Sequence, residues 1–332
     1  MAAQPFEQNV IALIWDFDKT LINGYMQAPI FRKYGVDGAR FWSEVNALAE
    51  KYRKLNPDMR VNSDTIYLNH FLTCVKQGIF KGLNNRMLRE LGRELTFFDG
   101  LPEFFTKLKT AIERDERYRK YNITVEHYIV STGLAEMIRG SAIAQYADGI
   151  WGCEFIERPI ASELAGPAPA EEEDGGREAE IDQIAYAIDN TSKTRAIFEI
   201  NKGSNKNANI DVNSSMDRSL RRVPFEHMIY IADGPSDVPA FSILKQNGGK
   251  TFAVYPAGSP REFEQVDRLR RDQRIDMYGE ADYREDTLTH MWLTEHARQI
   301  AEKIYNAKEQ AIINSVSRPP GHINESTGGA RG

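Results

Sequence analysis

The sequence predicts an α/β protein with a Rossmann-like, doubly wound parallel sheet as its core and an inserted helical cap domain. Short apolar runs alternate with helical segments, which is typical of parallel sheets whose strands are joined by helices. The first run, Val10 to Trp15, is apolar throughout, as expected of a central strand buried on both faces. A long segment with only helical patterning, residues 23–98, interrupts the alternation.

After this insertion, strands and helices are expected to alternate to the end of the core. Strand-like apolar runs occupy residues 126–133, 148–157, 181–189, 227–234 and 250–258. Helical patterns occupy residues 102–113, 134–147, 191–203 and about 286–313. Thr191 or Ser192 is available to cap the third of these helices.

The predicted domains follow from this order. The α/β core is expected over residues 1–22 and 99–290, the cap over 23–98, a C-terminal helix over 286–316, and a disordered tail over 317–332. Residues 170–180 hold most of the excess negative charge and are interpreted as a solvated loop.

Composition narrows the class of protein. The 332 residues suggest two domains, or one domain with a large insertion, at about 150 residues each. A net charge of −6 argues against a nucleic-acid coat protein. The chain shows no signal peptide or membrane span, and two cysteines cannot build a disulfide framework. We therefore expect a cytoplasmic enzyme without nucleic-acid or membrane partners, of open oligomeric state.

Three predicted strands end in polar clusters. Asp16 and Asp18 follow the first strand, Ser131 to Gly133 end the second, and Asp233 and Asp237 follow a later one. Because ligands of open α/β sheets bind beyond the carboxyl ends of the strands, these clusters are expected to meet at one edge. Acids at strand ends are often plain loop residues, but two acidic clusters together favour a functional site.

The residue types in these clusters suggest phosphoryl chemistry. Close carboxylates repel one another and need a cation or a shared proton, and Mg²⁺ prefers such oxygen ligands. A carboxylate beside that metal can attack phosphorus to form an aspartyl-phosphate. Phosphate-binding groups are expected at four positions, although serine and threonine are also common in turns: Thr20, Ser131, Thr132 and Gly133.

Lys193 is the favoured cation for the phosphoryl group. It opens a predicted helix directly after a predicted strand, at the edge where the acidic clusters meet. Lys202 is the alternative candidate. The non-functional interpretation is that each of these lysines is a solvated residue with no role in the site.

These motifs resemble the haloacid dehalogenase-like superfamily. The resemblance rests on DFDKTL at 16–21, the hydroxyl turn at Ser131, Lys193 and ADGPSD at 232–237, and covers residues 8–22 and 99–256. The insertion between the first two motifs is similar to the helical cap of the phosphoserine-phosphatase-like group. Lys193 lies 40 residues before Asp233, which is a wider spacing than in compact members of the superfamily.

The resemblance implies a role for each motif residue. Asp16 would be the nucleophile, and Asp18 the general acid and base. Ser131 and Lys193 would hold the phosphoryl group. The metal ligands would be Asp16, the backbone carbonyl of Asp18, and Asp233, with Asp237 supporting the metal shell. An acid at position 18 points to the phosphatase branch, since an ester leaving group needs a proton and a halide does not.

The expected activity is Mg²⁺-dependent hydrolysis of a small phosphorylated metabolite. A phosphotransferase that uses an alcohol acceptor, and a non-catalytic binding or regulatory protein, are the alternatives. Specificity would depend on cap side chains that face the site, although aromatic residues in helices more often pack in a core. The candidates are Tyr25, Met26, Phe31, Arg32, Phe41 and Trp42.

Overall fold

The computed structural model describes residues 6–160, 162, 164 and 179–316. Most of the predicted acidic loop at 170–180 and the whole predicted tail at 317–332 lie outside these residues. No helix in the described part of the chain combines the length and the apolar character that a membrane span requires.

Within the described residues, seven strands form one sheet in the order β4-β3-β2-β1-β5-β6-β7. The strands are β1 Val10–Trp15, β2 Thr124–Leu134, β3 Gly149–Ile156, β4 Gln183–Tyr186, β5 Met228–Ala232, β6 Lys250–Tyr255 and β7 Met277–Glu280. All neighbouring pairs are parallel except β3 and β4. The sheet therefore has the parallel core that the sequence predicts, with an antiparallel strand at one edge.

Helices cover both faces of the sheet. In chain order they are α1 Ala28–Tyr34, α2 Gly38–Leu55, α3 Ile66–Lys76, α4 Asn85–Gly92, α5 Glu103–Glu113, α6 Glu116–Arg119, α7 Ala135–Gly140, α8 Lys193–Lys202, α9 Val238–Gln246, α10 Pro260–Arg271 and α11 Leu288–Val316. Helices α5 and α11 pack on one face, and α8, α9 and α10 pack on the other. This is the doubly wound arrangement of a Rossmann-like fold.

The alternation of β1 explains its unbroken apolar sequence. Leu13 and Trp15 point into the hydrophobic cluster on the α5 and α11 side, and Ala12 and Ile14 point into the opposite cluster. All four side chains are fully buried. Since successive side chains of a strand point to opposite faces, a strand covered on both sides must be apolar at every position.

The segment between β1 and α5 carries helices α1 to α4. Its interior is aromatic: the ring of Phe41 lies 4.9 Å from that of Phe31 and 5.1 Å from that of Phe71, whose ring is 5.2 Å from that of Phe80. Phe31 and Phe41 therefore pack inside the insertion and do not face the site. Arg32 forms an ion pair with Glu94 at 2.9 Å on the surface.

Helix α4 is attached closely to core helix α7. A Cβ added to Gly92 would lie 2.1 Å from the carbonyl oxygen of Met137, and one added to Gly140 would lie 1.8 Å from that of Arg89. Only glycine allows the two backbones to approach this closely. One helix of the insertion is thus fixed against the sheet domain.

Several predicted elements differ from the structure. The predicted helix over 134–147 ends at Gly140, where the Ser141 hydroxyl donates to the carbonyl oxygen of Ile138 at 2.7 Å. The predicted strand at 181–189 is only the short edge strand β4, and it is antiparallel. Strand β7 and helix α10 were not predicted. The four residues of β7 carry too little periodicity to identify a strand.

Candidate active site

Asp16 is the first residue after β1. Its backbone N–H donates to the carbonyl oxygen of Ile231 in β5 at 2.9 Å, which continues the parallel pairing and fixes the residue at the carboxyl end of the sheet. The buried carboxylate accepts hydrogen bonds from Lys193 Nζ at 2.6 Å and from the Thr20 hydroxyl at 3.2 Å. Thr20 thus contacts Asp16 directly, four residues along the chain.

Lys193 lies between two carboxylates. Its Nζ is 2.6 Å from Asp16 Oδ1 and 2.7 Å from Asp237 Oδ1, and all three side chains are buried. Burial disfavours the ammonium form, but the two carboxylates outweigh this effect and raise the pKa of Lys193 above its usual range. An ammonium group has three N–H donors, so one remains for a third acceptor.

The loop before α8 sets the position of Lys193. Ser192 stands at the N-cap position of α8, as one of the two expected candidates, but its side chain bonds to no N–H of the helix. Asp189 orders the turn before it: its Oδ1 accepts from the backbone N–H of Thr191 at 3.0 Å and of Ser192 at 2.6 Å. The other carboxylate oxygen accepts from Asn62 Nδ2 at 3.0 Å. Asn62 belongs to the segment between α2 and α3, so one hydrogen bond connects the insertion to the start of α8.

Lys202 points elsewhere. Its Nζ donates to the carbonyl oxygens of Val212 and Ser214, both at 2.6 Å, and it holds the loop that follows α8. Of the two candidate lysines, the structure brings only Lys193 to the carboxylates.

Asp16, Asp233 and Asp237 form a cluster that could hold a metal ion. Each offers a carboxylate oxygen, and these three atoms lie within 4.8 Å of one another. Burial, followed by the charge of the neighbouring carboxylates, raises the pKa of Asp233 above its usual range. Three ionised carboxylates and one ammonium leave two uncompensated negative charges, so the donor set fits one hard divalent cation such as Mg²⁺.

Asp237 is held from several sides. Besides Lys193, its carboxylate accepts from the Tyr230 hydroxyl at 2.6 Å and from the Ser236 hydroxyl at 2.9 Å. Sequence reasoning missed Tyr230, which lies within the apolar run of β5. A tyrosine in a fully buried strand needs a hydrogen-bond partner for its hydroxyl, and this requirement could have indicated that Tyr230 contacts a polar residue of the site.

Asp18 is separate from the carboxylate cluster. Its side chain is half-buried, and its Oδ1 accepts from the backbone N–H of Met26 at 2.9 Å. Burial, and next the charge of Asp16, raise the pKa of Asp18 well above its usual range, which favours the protonated form. A protonated carboxyl group at this position is suited to donate a proton.

Residues 131–133 are part of strand β2 and not of a turn after it. The buried Ser131 hydroxyl oxygen accepts from the N–H of Gly133 at 2.9 Å, and the N–H of Leu134 donates to Met26 Sδ at 3.0 Å. The carbonyl oxygen of Thr132 accepts from the Tyr67 hydroxyl at 2.5 Å. The expectation of free backbone N–H groups before a helix is therefore wrong at Gly133, whose N–H is already bonded.

A cavity of about 380 Å³ lies beside Asp18, between the sheet edge and the insertion. Tyr25 and Trp42, two of the predicted cap residues, line it, and Met26 is fully buried behind it. Sequence reasoning did not single out the other lining residues from the insertion and from the loop before α8. They are Gln27, Val45, Asn46, Ser63, Asp64, Tyr67 and Asn190.

The five histidines that the structure describes, and both cysteines, lie apart from the carboxylate cluster. His127 is buried in β2, beside β1, and His296 stacks on Trp292 with ring centres 3.8 Å apart. His70 lies 3.4 Å from Glu44, His227 is buried, and His290 packs on Phe104. Cys74 and Cys153 are buried free thiols. In the described part of the chain, the one group of potential ligands for a metal ion is the aspartate cluster.

A curated protein of Borreliella burgdorferi, described as uncharacterised, is 37% identical to this chain over 291 residues. The match spans 87% of this chain and 96% of that protein. No family model matches the chain.

Among solved structures, similar chains include a HAD family hydrolase of Salmonella enterica serovar Typhi, with 17% identity and a TM-score of 0.45. The alignment covers 83% of this chain and 68% of that one. A phosphoserine phosphatase with a phospho-aspartyl intermediate analogue has 15% identity and a TM-score of 0.44, over 81% and 93% of the two chains. Because these scores and identities are low, the proposed function depends on this chain's own side chains.

The sheet order, the parallel pairing of the strands and the helical insertion after β1 agree with the resemblance carried by the four motifs. The chain belongs to the same family as the Borreliella burgdorferi protein and has a Rossmann-like fold, as the resemblance of its motifs implies.

Proposed function

We propose that this protein is a Mg²⁺-dependent phosphomonoesterase that hydrolyses a small phosphorylated metabolite through an aspartyl-phosphate on Asp16. The observation that carries the proposal is the buried cluster of Asp16, Asp233 and Asp237, bridged by Lys193, with Asp18 beside it at the wall of a cavity. Mg²⁺ held by Asp16, Asp233, Asp237 and the backbone carbonyl of Asp18 would neutralise charge on the phosphoryl oxygens.

In the first step, a carboxylate oxygen of Asp16 attacks phosphorus, and the bond between phosphorus and the ester oxygen breaks. Asp18 donates its proton to the departing oxygen, so the product leaves as a neutral alcohol. Lys193 keeps Asp16 in place, and its third N–H is available to a phosphoryl oxygen. The Ser131 hydroxyl lies at the same edge and can donate to another phosphoryl oxygen, because its bond from Gly133 uses only its acceptor side.

In the second step, Asp18 is a carboxylate and accepts a proton from water. The water oxygen attacks phosphorus, the bond from phosphorus to Asp16 breaks, and inorganic phosphate leaves. Asp16 returns to its carboxylate form and Asp18 to its protonated form. The bond from the Met26 N–H holds the Asp18 carboxylate in both steps.

The test is hydrolysis of an aryl phosphate by the wild type and by Asp16→Asn, with Mg²⁺ and with a chelator. We expect turnover by the wild type only with Mg²⁺, and a loss of at least about 10³-fold in kcat in Asp16→Asn because the amide is not a nucleophile. Asp58→Asn, a change at an exposed aspartate between α2 and α3, is the matched control and should behave as the wild type. Turnover that persists in Asp16→Asn would overturn the proposal.

A further inference from the structure

We propose that the cavity beside Asp18 selects phosphate esters of small amino alcohols, in which the alcohol carries an ammonium group and no carboxylate. This inference rests on the proposed function, and it assigns the substrate class of the same site. It is carried by three properties of the cavity wall: aromatic faces, an unpaired oxygen acceptor on Gln27, and the absence of basic side chains among the described lining residues.

The aromatic part of the wall is a row of three rings. The ring centre of Trp42 lies 5.6 Å from that of Tyr25 and 5.7 Å from that of Tyr67, and all three residues line the cavity. The Tyr67 hydroxyl is bonded to the Thr132 carbonyl, which fixes the orientation of this ring. Aromatic faces attract organic cations electrostatically, and rows or cages of them are used to bind quaternary ammonium groups.

The acceptor part of the wall includes a buried atom without a partner. Gln27 is 2% exposed, lines the cavity, and has no hydrogen-bond partner for its Oε1. A buried carbonyl oxygen left unpaired is costly, so this atom is placed to accept from a donor on a ligand. The exposed Asp64 adds a carboxylate to the same wall.

The charges on the wall favour a cation over an anion. Two of the lining residues are acids, Asp18 and Asp64, and no lysine or arginine occurs among the lining residues that the structure describes. The nearby Lys19 places its Nζ 4.9 Å from the centre of the Tyr25 ring without lining the cavity. A substrate carboxylate, as in phosphoserine, would therefore find no basic side chain among these lining residues. A volume of about 380 Å³ suits a small alcohol.

The experiment compares kcat/KM for four esters with Mg²⁺ present: phosphocholine, phosphoethanolamine, phosphoserine, and 3,3-dimethylbutyl phosphate. The last is the neutral isostere of phosphocholine, with carbon in place of nitrogen. We expect phosphocholine to exceed its neutral isostere by about tenfold, because a desolvated cation gains from the aromatic faces. Phosphoethanolamine should exceed phosphoserine, which differs from it by one carboxylate.

Phosphocholine and phosphoethanolamine both carry an ammonium group and no carboxylate. Their ranking shows which part of the cavity wall contributes most to binding this group. A preference for phosphoethanolamine supports the proposal with Gln27 Oε1 as an N–H acceptor. A preference for phosphocholine supports it with the rings of Tyr25, Trp42 and Tyr67 as the main contact.

Two variants test the wall directly. In Asp64→Asn and in Tyr25→Leu, the ratio of kcat/KM for phosphocholine to that for its neutral isostere should fall about three- to fivefold. Tyr25 is half exposed and Asp64 is exposed, so neither change disturbs the core. Asp58→Asn, an exposed loop acid that does not line the cavity, should leave the ratio unchanged.

The outcomes separate this inference from the proposed function. If kcat/KM for the neutral isostere or for phosphoserine equals that for phosphocholine and phosphoethanolamine, the substrate class is overturned. The proposed phosphatase activity is then retained. If no ester and no aryl phosphate is hydrolysed, and beryllium fluoride forms no complex at Asp16, the proposed function and the substrate class are overturned together.

Discussion

At the scale of single residues, the site depends on one lysine. Lys193 is as buried as the apolar core, and its charge is balanced by Asp16 and Asp237 at 2.6 and 2.7 Å. Removing one partner of a buried ion pair leaves charge in a poorly solvated place, which costs more than the pair itself contributes. Here the loss of the lysine would leave three carboxylates within 4.8 Å of one another.

We predict that Lys193→Ala lowers the free energy of unfolding by about 3–5 kcal/mol in the absence of Mg²⁺. Addition of Mg²⁺ should recover part of this loss, because a cation that binds only the folded state stabilises it. Urea unfolding with and without Mg²⁺ measures both effects.

Lys202→Ala is the matched control on the same helix. Lys202 bonds only to loop carbonyl oxygens, so its removal should cost less than about 1 kcal/mol and show no added dependence on Mg²⁺. Equal costs for the two variants, or an equal response to Mg²⁺, would contradict the assignment of Lys193 to the carboxylate cluster.

The main side chains of the site could be predicted from the sequence, but the side chains that hold them in place could not. Asp16 and Asp233 stand directly after apolar runs, and Asp18 lies two residues after Asp16, so their position at the sheet edge follows from the strand pattern. The contacts of Tyr230 with Asp237, and of Asp189 with the start of α8, join residues whose spacing follows no simple period. Such contacts depend on loop geometry, which periodicity does not predict.

At the scale of elements, the insertion is attached at two places of different strength. Helix α4 packs backbone to backbone on α7 at Gly92 and Gly140. The segment between α2 and α3, which supplies Ser63 and Asp64 to the cavity wall, bonds to the core through Asn62 and Asp189. The first contact is a buried packing surface, and the second is an exposed hydrogen bond.

We predict that Gly92→Ala lowers the free energy of unfolding by about 2–4 kcal/mol, although alanine favours helices by about 1 kcal/mol over glycine. The reason is the carbonyl oxygen of Met137, 2.1 Å from the added Cβ, which forces α4 and α7 apart. Thermal or urea unfolding measures the change. Arg93→Ala, at the exposed neighbouring position, should change stability by less than about 0.5 kcal/mol. A stabilised Gly92→Ala would show that the two helices do not approach this closely.

The order of the main strands and helices could be predicted from the sequence, but the exact ends of the strands and the edge strand of the sheet could not. The apolar runs of β1, β2, β5 and β6 identify the parallel core. The direction of β4 was not predictable. Three of the four residues of this edge strand are exposed and the fourth is half-buried, so the strand shows no burial pattern that separates parallel from antiparallel pairing. Strand β2 extends through Ser131 to Leu134. The pairing with β3 is irregular after Val130 and resumes where Leu134 pairs with Cys153.

At the scale of the whole molecule, a buried polar network supports the sheet beneath the site. Trp15 Nε1 donates to His127 Nδ1 at 3.2 Å, so the other ring nitrogen carries the proton and donates to the carbonyl oxygen of Phe105 at 3.2 Å. The His127 ring also stacks on Phe105 with ring centres 4.1 Å apart. Burial lowers the pKa of His127 from 6.5 to about 3.

This network predicts a pH dependence of stability. Between pH 6.5 and about 3 the unfolded chain binds a proton at His127 and the folded chain does not, so stability falls as the pH falls. Each pH unit within this window should remove up to about 1.4 kcal/mol. Urea unfolding at several pH values should show a shallower dependence in His127→Gln, which cannot take up a proton. An identical dependence in both proteins would contradict a buried neutral His127.

Whether Asp16 carries a phosphoryl group during turnover can be measured in the variant Asp18→Asn. An aryl phosphate has a leaving group that departs without a proton, so the first step proceeds in this variant. The second step stalls because asparagine cannot accept a proton from water. Mass spectrometry of the variant after incubation with aryl phosphate and Mg²⁺ should find one added phosphoryl group, on the peptide that contains Asp16. Release of the aryl alcohol with no phosphorylated protein, or a phosphoryl group on another peptide, would contradict the assignment of Asp16 as the nucleophile.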